Sequence, residues 1–233
     1  MTDRLYGFKN LELEGGGYDV KTDTTEMFSD EFVEEMKLYE GTADYQKEVG
    51  YFRDNKFHSY KDPKDHETIG FGHKVKKNES DLFFKGLTTE AADSLLRVDL
   101  KDALLTSHRF HQIETEKVEE VLTSLYFQHG AKTMIEDFSE FRDAMNDLDY
   151  ERAAANLMYV DPEAEEGKRV YSEYFEKYPE RATTNIEKLL ETRHEVHQTM
   201  IEHGIIDTML DLDESPLEIK QRENYINLIN IGF

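Results

Sequence analysis

The 233-residue sequence predicts a mostly α fold with a minor β element, on three observations. It holds only four prolines, its apolar residues recur at helical spacing over long stretches, and one short segment alternates like a strand. A hydrophobic content of 38% with 12% aromatics is enough for a packed core.

Residues 1–27 read as an extension, with flexible Gly15-Gly16-Gly17 and a polar stretch from Thr22 to Thr25. Ser29 is placed to cap a helix whose first turn carries Asp30 and Glu31, where acidic groups complement the helix dipole. Phe32, Val33, Met36 and Tyr39 continue it at helical spacing, and Gly41 is a natural stop. From Tyr45 to Asp65 the chain is polar, aromatic and turn-like, without a regular period. Glu67 to His73 alternates as one short strand. Ala92, Leu95, Leu96 and Ala103 share one face of a helix over 89–105. Further helices are expected at 115–128, 134–146, 150–158, 169–177 and 181–202. The last residues, 201–233, carry seven acidic and two basic side chains and end in an apolar run, Ile226 to Phe233.

Composition narrows the function. No cysteine is present, which excludes disulfides, thiolate metal sites and cysteine nucleophiles. A net charge of −23 opposes binding to nucleic acid or an anionic membrane. No apolar run reaches the roughly 18 residues of a membrane span. The first ten residues lack the charged-then-apolar order of a secretory signal, so synthesis in the cytoplasm and export by other machinery are expected.

Glu40 lies four residues after Met36 and seven after Val33, on the apolar face of its helix and in its last turn. Desolvation and the negative end of the dipole both favour the protonated form, as a general acid requires. A glutamate at a helix end is, taken alone, more often simply solvated. Asp62 sits in the polar turn Tyr60-Lys61-Asp62-Pro63-Lys64-Asp65, whose two lysines keep a carboxylate ionised. Two carboxyl groups in opposed environments form the acid and base pair of glycoside hydrolysis. On a strand, Thr68, Gly70 and Gly72 would share one face and let a ligand approach the backbone, with Thr68 free to hold a water or a sugar hydroxyl. His73 would point into the core from the other face. Asp99, seven residues after Ala92, is the partner expected for it in a structural ion pair. No second ligand is spaced to make His73 a metal site.

Tyr39-Glu40-Gly41, Tyr60-Lys61-Asp62 and Thr68-Ile69-Gly70-Phe71-Gly72-His73 together resemble the catalytic segment of phage-type lysozymes, glycoside hydrolase family 24. Leu125 to Gly130, Ala153 to Leu157 and Pro179-Glu180-Arg181-Ala182 are similar to later motifs of that family, and the likeness covers roughly 29–200. The resemblance implies two lobes: a small one at 28–88 with a short antiparallel sheet, and a larger helical one at 107–200. A long helix at 89–106 would join them, and extensions at 1–27 and 201–233 would flank the lysozyme-like domain. It implies catalytic Glu40, Asp62 and Thr68, cleft contacts from Phe127, Gln128, Asn156 and Lys74, and a His73–Asp99 salt bridge. It also implies hydrolysis of the β-1,4 bond between N-acetylmuramic acid and N-acetylglucosamine, with inversion and without cofactor or metal. Bacterial peptidoglycan is then the partner, and virion proteins are candidate partners for the extensions. Action would be on the periplasmic wall, as an endolysin or a virion component. The rival is a phage structural or wall-binding protein that kept the fold without activity; a retired site has no reason to keep Glu40, Asp62 and Thr68 together.

The sequence departs from the family pattern in three places. Glu40 and Asp62 stand 22 positions apart, about twice the family's usual separation, so an insertion follows the catalytic helix. A second insertion lies around Asp161 to Ser172. Lys74 stands where the family has an apolar cleft residue.

Overall fold

The computed structural model describes residues 27–111, 115–165 and 167–202. The expectations for residues 1–26 and 203–233, including the apolar run at the end, lie outside the described residues.

Helix α1 (Asp30–Glu40) begins on Ser29, whose hydroxyl accepts the Phe32 N–H at 3.1 Å, and ends at Gly41 with φ 92°. Phe32, Val33 and Met36 are buried on one side of it; each such side chain contributes roughly 1.5–3 kcal/mol on leaving water. Next comes α2 (Ala43–Glu48), capped by Thr42. Strands β1 (Phe52–Arg53) and β2 (Lys56–Phe57) pair through a two-residue turn, Asp54-Asn55, with φ of 52° and 57°. Then β3 (Tyr60–Lys61), β4 (Glu67–Ile69) and β5 (His73–Lys74) form an antiparallel sheet in that order. Tyr60 stands opposite Thr68, Thr68 opposite Lys74, and Ile69 opposite His73. A short 3₁₀ turn leads into α3 (Ser80–Lys85).

The long helix α4 (Thr89–Ser107) follows, then α5 (Glu116–Glu136), α6 (Ser139–Asn146), α7 (Tyr150–Met158), α8 (Glu173–Lys177) and α9 (Pro179–Glu202). Two hydrophobic clusters result. One gathers α1, β2, β4 and α3 against Leu96, Leu100 and Leu104 of α4. The other gathers α5, α6, α7 and α9, with Ala103 of α4 at its edge. Phe127 of α5 packs against both clusters. The fold is thus mostly α with small antiparallel sheets, as the sequence predicts. None of the described helices is long and apolar enough to cross a membrane.

Several elements differ from their sequence-based expectations. The irregular reading of 45–65 is corrected: α2 and the β1–β2 hairpin occupy it. Their runs of six and two residues are too short to show a period. The single strand at 67–73 is broken by Gly70 (φ 62°) and Gly72 (φ 84°), which turn the chain through Phe71 into a hairpin. The helix expected to stop at residue 128 continues beyond a break at Gly130 (φ 74°, ψ 161°) to Glu136, so the next helix starts at Ser139 rather than at 134. Helix α8 is shorter than 169–177 because Tyr171 forms a bridge with Tyr159.

Candidate active site

Glu40 closes α1 and is held from two sides. Its Oε1 accepts a hydrogen bond from Arg181 Nη2 at 2.7 Å, across 141 positions of sequence. A β-carbon on Gly72 would lie 2.5 Å from its Oε2, so the carboxyl rests on the β4–β5 turn where only glycine leaves room. Arg181 is 4% exposed, and its guanidinium lies 4.6 Å from the centre of the Tyr39 ring. The sequence reading surrounds Glu40 with apolar side chains and the helix dipole alone; the structure corrects this to an ion pair. Helix α9 supplies the arginine by lying antiparallel against α1. Arg181, Thr184 and Lys188 recur at helical spacing and meet Glu40, Tyr39 and Glu35 in turn, at 2.7, 2.9 and 2.8 Å.

Asp62 follows β3. Its Oδ1 accepts the backbone N–H groups of Lys64 and His66, each at 2.8 Å, and its Oδ2 lies 3.0 Å from His66 Nδ1. These bonds, the His66 amide foremost, hold its carboxyl below the ordinary carboxylate range. The sequence assigns ionisation to the nearby lysines, whereas backbone amides do most of it. Tyr60 lies on β3, just before Asp62 in the sequence. Burial, with the charges of Glu40, Tyr51, Asp62 and Tyr45, pushes its phenol up to about 12, so it remains a proton donor at neutral pH.

Thr68 is 4% exposed, and its hydroxyl donates a long bond of 3.4 Å to His66 O. The expected open face of Thr68, Gly70 and Gly72 does not form. Gly70 faces Ala92 of α4, and Gly72 faces Glu40, so protein rather than ligand fills both spaces. Lys74, opposite Thr68 in the sheet, is exposed.

The remaining expected residues lie on the helical side, apart from one pair. Phe127 is half-buried between the two clusters. Gln128 keeps a buried Oε1 with no partner among the described residues. Asn156 donates to Arg152 O at 2.9 Å along α7. His73 Nδ1 lies 2.7 Å from Asp99 Oδ2, and its Nε2 lies 2.9 Å from Glu79 Oε2, a partner that spacing does not announce.

Sequence reasoning also misses His129. It packs among Phe138, Tyr174 and Tyr178, with ring centres 5.0–6.3 Å apart. Burial, and then the charges of Arg181, Lys177 and Lys64, lower its pKa to about 4, so it is neutral beside the arginine that holds Glu40. Its only sequence signal is its place after Phe127-Gln128. Among the described residues no three His, Asp or Glu side chains are arranged to hold a metal ion.

In sequence, no curated protein matches the chain. Among solved structures it is similar to the muramidase domain of SpmX from Asticaccaulis excentricus, at 21% identity and a TM-score of 0.47. That match covers 70% of this chain and 97% of the other. It is also similar to an endolysin from Escherichia coli O157:H7 phage FAHEc1, at 17% identity and a TM-score of 0.46, covering 71% of this chain and 94% of the other. The sequence model for phage lysozyme matches residues 52–172, which include Asp62, Thr68, His73, Phe127, Gln128 and Asn156 and leave Glu40 and Arg181 outside. That match spans more than half of the sequence, and the chain belongs to the phage lysozyme family.

Proposed function

We propose that this glycoside hydrolase, a lysozyme acting on cell-wall peptidoglycan, cleaves the β-1,4 bond between N-acetylmuramic acid and N-acetylglucosamine. Glu40 donates the proton to the leaving oxygen. Asp62 stays ionised and, with Thr68, orients the water that attacks from the opposite face of the sugar; the Asp62 carboxylate takes the proton that this water loses, giving inversion. Arg181 and Gly72 fix the position of the Glu40 carboxyl for its proton transfer. Phe127, Gln128, Asn156 and Lys74 are the proposed contacts to the glycan. The lobes at 28–88 and 107–200, joined through 89–106, are the proposed walls of the cleft. The extensions at 1–27 and 201–233 are the proposed contacts to phage virion proteins, for a protein that acts on the periplasmic wall as an endolysin or as a virion component.

The observation that supports this reading best is the three-stranded sheet. Glu40 rests on Gly72 in its β4–β5 turn, and Asp62 follows β3 with its N–H donating to His66 O at 2.9 Å, so one small sheet serves both acids despite the 22 positions between them. The test is Glu40→Gln, which keeps size and polarity but cannot donate a proton. It should fold normally by circular dichroism and lose about 10²–10⁴ in lysis rate on wall suspensions. Clearing at wild-type speed would remove Glu40 from the mechanism.

A further inference from the structure

The residues between Glu40 and Asp62 carry a feature that the acid–base pair does not use. We propose that this insertion builds a saccharide-stacking subsite beside Glu40, with the exposed ring of Tyr45 as its contact face. The inference rests on the assignment of Glu40 as general acid to the glycan, and it names a specificity-determining residue for that reaction.

Tyr45 lies in α2, and its Cδ1 is 3.0 Å from where a β-carbon on Gly41 would stand. The ring therefore covers the end of α1, one residue past Glu40. It is 57% exposed. Tyr51 and Tyr60, which also lie between Glu40 and Asp62 in the sequence, stack face to face, with centres 4.3 Å apart and planes 8° apart. Tyr60 stands opposite Thr68 in the sheet, on the strand that leads to Asp62.

The segment that carries Tyr45 is anchored to the elements that hold Glu40. Gln46, the residue after Tyr45, is buried, and its Nε2 donates to Gly41 O at 3.0 Å and to Gly70 O at 2.8 Å. One amide thus ties α2 to the end of α1 and to the β4–β5 turn on which Glu40 rests. The Tyr51 N–H donates in turn to Gln46 O at 2.7 Å. A large ring held by such a support loses little freedom when a ligand covers it. The C–H face and N-acetyl methyl of an amino sugar are what an electron-rich ring covers best.

The chain contains no tryptophan, so Tyr45→Trp places a single tryptophan at the proposed contact, whose emission is excited apart from that of the tyrosines. In a Glu40→Gln background, soluble uncleaved peptidoglycan glycan fragments should shift its emission to shorter wavelength and saturate. Phe84→Trp, at a position 79% exposed on α3, should not respond in the same background. With Glu40 intact, Tyr45→Ala should raise KM on soluble wall fragments about tenfold with kcat near wild type, and Tyr45→Phe should restore KM. A wild type that clears wall fragments while Tyr45→Ala keeps wild-type KM overturns the subsite alone. A Tyr45→Trp emission that stays still while fragments bind does the same. A wild type that neither binds nor cleaves fragments overturns the lysozyme reading, and the subsite with it.

Discussion

A buried imidazole keeps a proton only when nearby anions outweigh its loss of water, and His73 has two. Burial works against the proton, but the hydrogen bonds and charges of Asp99 and Glu79 win, and its pKa is raised above 6.5. Burial likewise opposes the charge on Glu79; its bonds from the Lys76 amide and His73 prevail and lower its pKa. A raised histidine contributes stability that is fully present below its unfolded pKa and is lost as pH rises through its folded one. A lowered glutamate contributes stability that is present above its unfolded pKa and is lost as pH falls through its folded one. The network is therefore strongest between the ordinary values of 4.5 and 6.5. His73→Ala should cost about 3 kcal/mol there, since it strands two carboxylates. The gap in Tm between wild type and variant should be wider at pH 5.5 than at pH 8.5. An equal gap at both pH values would mean that packing alone makes His73 matter.

Single turns decide where the chemistry sits. The β4–β5 turn supports Glu40 through the absence of a side chain at Gly72, where φ is 84°. Gly72→Ala adds backbone strain of about 1–3 kcal/mol and pushes the carboxyl off its seat. A displacement near 1 Å in a catalytic group costs about 10²-fold in rate. Gly167→Ala is the matched control, with φ 86° and open space around it. Both variants should lose similar stability in thermal melts, and only Gly72→Ala should lose lysis. Equal activities would show that the turn tolerates a methyl group and does not seat the acid. Helix α9 acts on the same carboxyl from the other side, and its antiparallel register on α1 sets where Arg181 falls.

At −23, the whole molecule is repelled by an anionic wall. Salt screens that repulsion, with a Debye length of about 8 Å at 0.15 M. Initial lysis rates should therefore rise from low to moderate salt, with the fold monitored by circular dichroism. The opposing influence is local. Lys64, Lys74, Lys76 and Lys77 are exposed, while Lys61 is already close to Asp65 and Glu67. A rate that falls steadily with added salt would show that this group of cations attracts the substrate more strongly than the net charge repels it.

Short-range chemistry wrote itself plainly into the sequence. Ser29, Thr88, Thr115 and Ser172 cap helices through bonds to a residue three positions on, and the buried faces of α1 and α4 follow a helical period. Of these caps the sequence reading names Ser29; the few prolines and the helical spacing of the apolar residues carried the mostly α class, while the spacing of Asp62, Thr68 and His73 carried the likeness to the family. The two-residue strands and α2 left no readable pattern, because elements so short are held by their surroundings rather than by propensity. The alternation at 67–73 misled for a related reason: glycine suits a strand face and a turn equally, and only packing on Ala92 and Glu40 chooses the turn. Tertiary structure alone brought Arg181 and Gly72 to Glu40, and Glu79 to His73. A carboxyl's environment is set by whatever lies within a few ångströms, and here the nearest cation is 141 positions away in the chain.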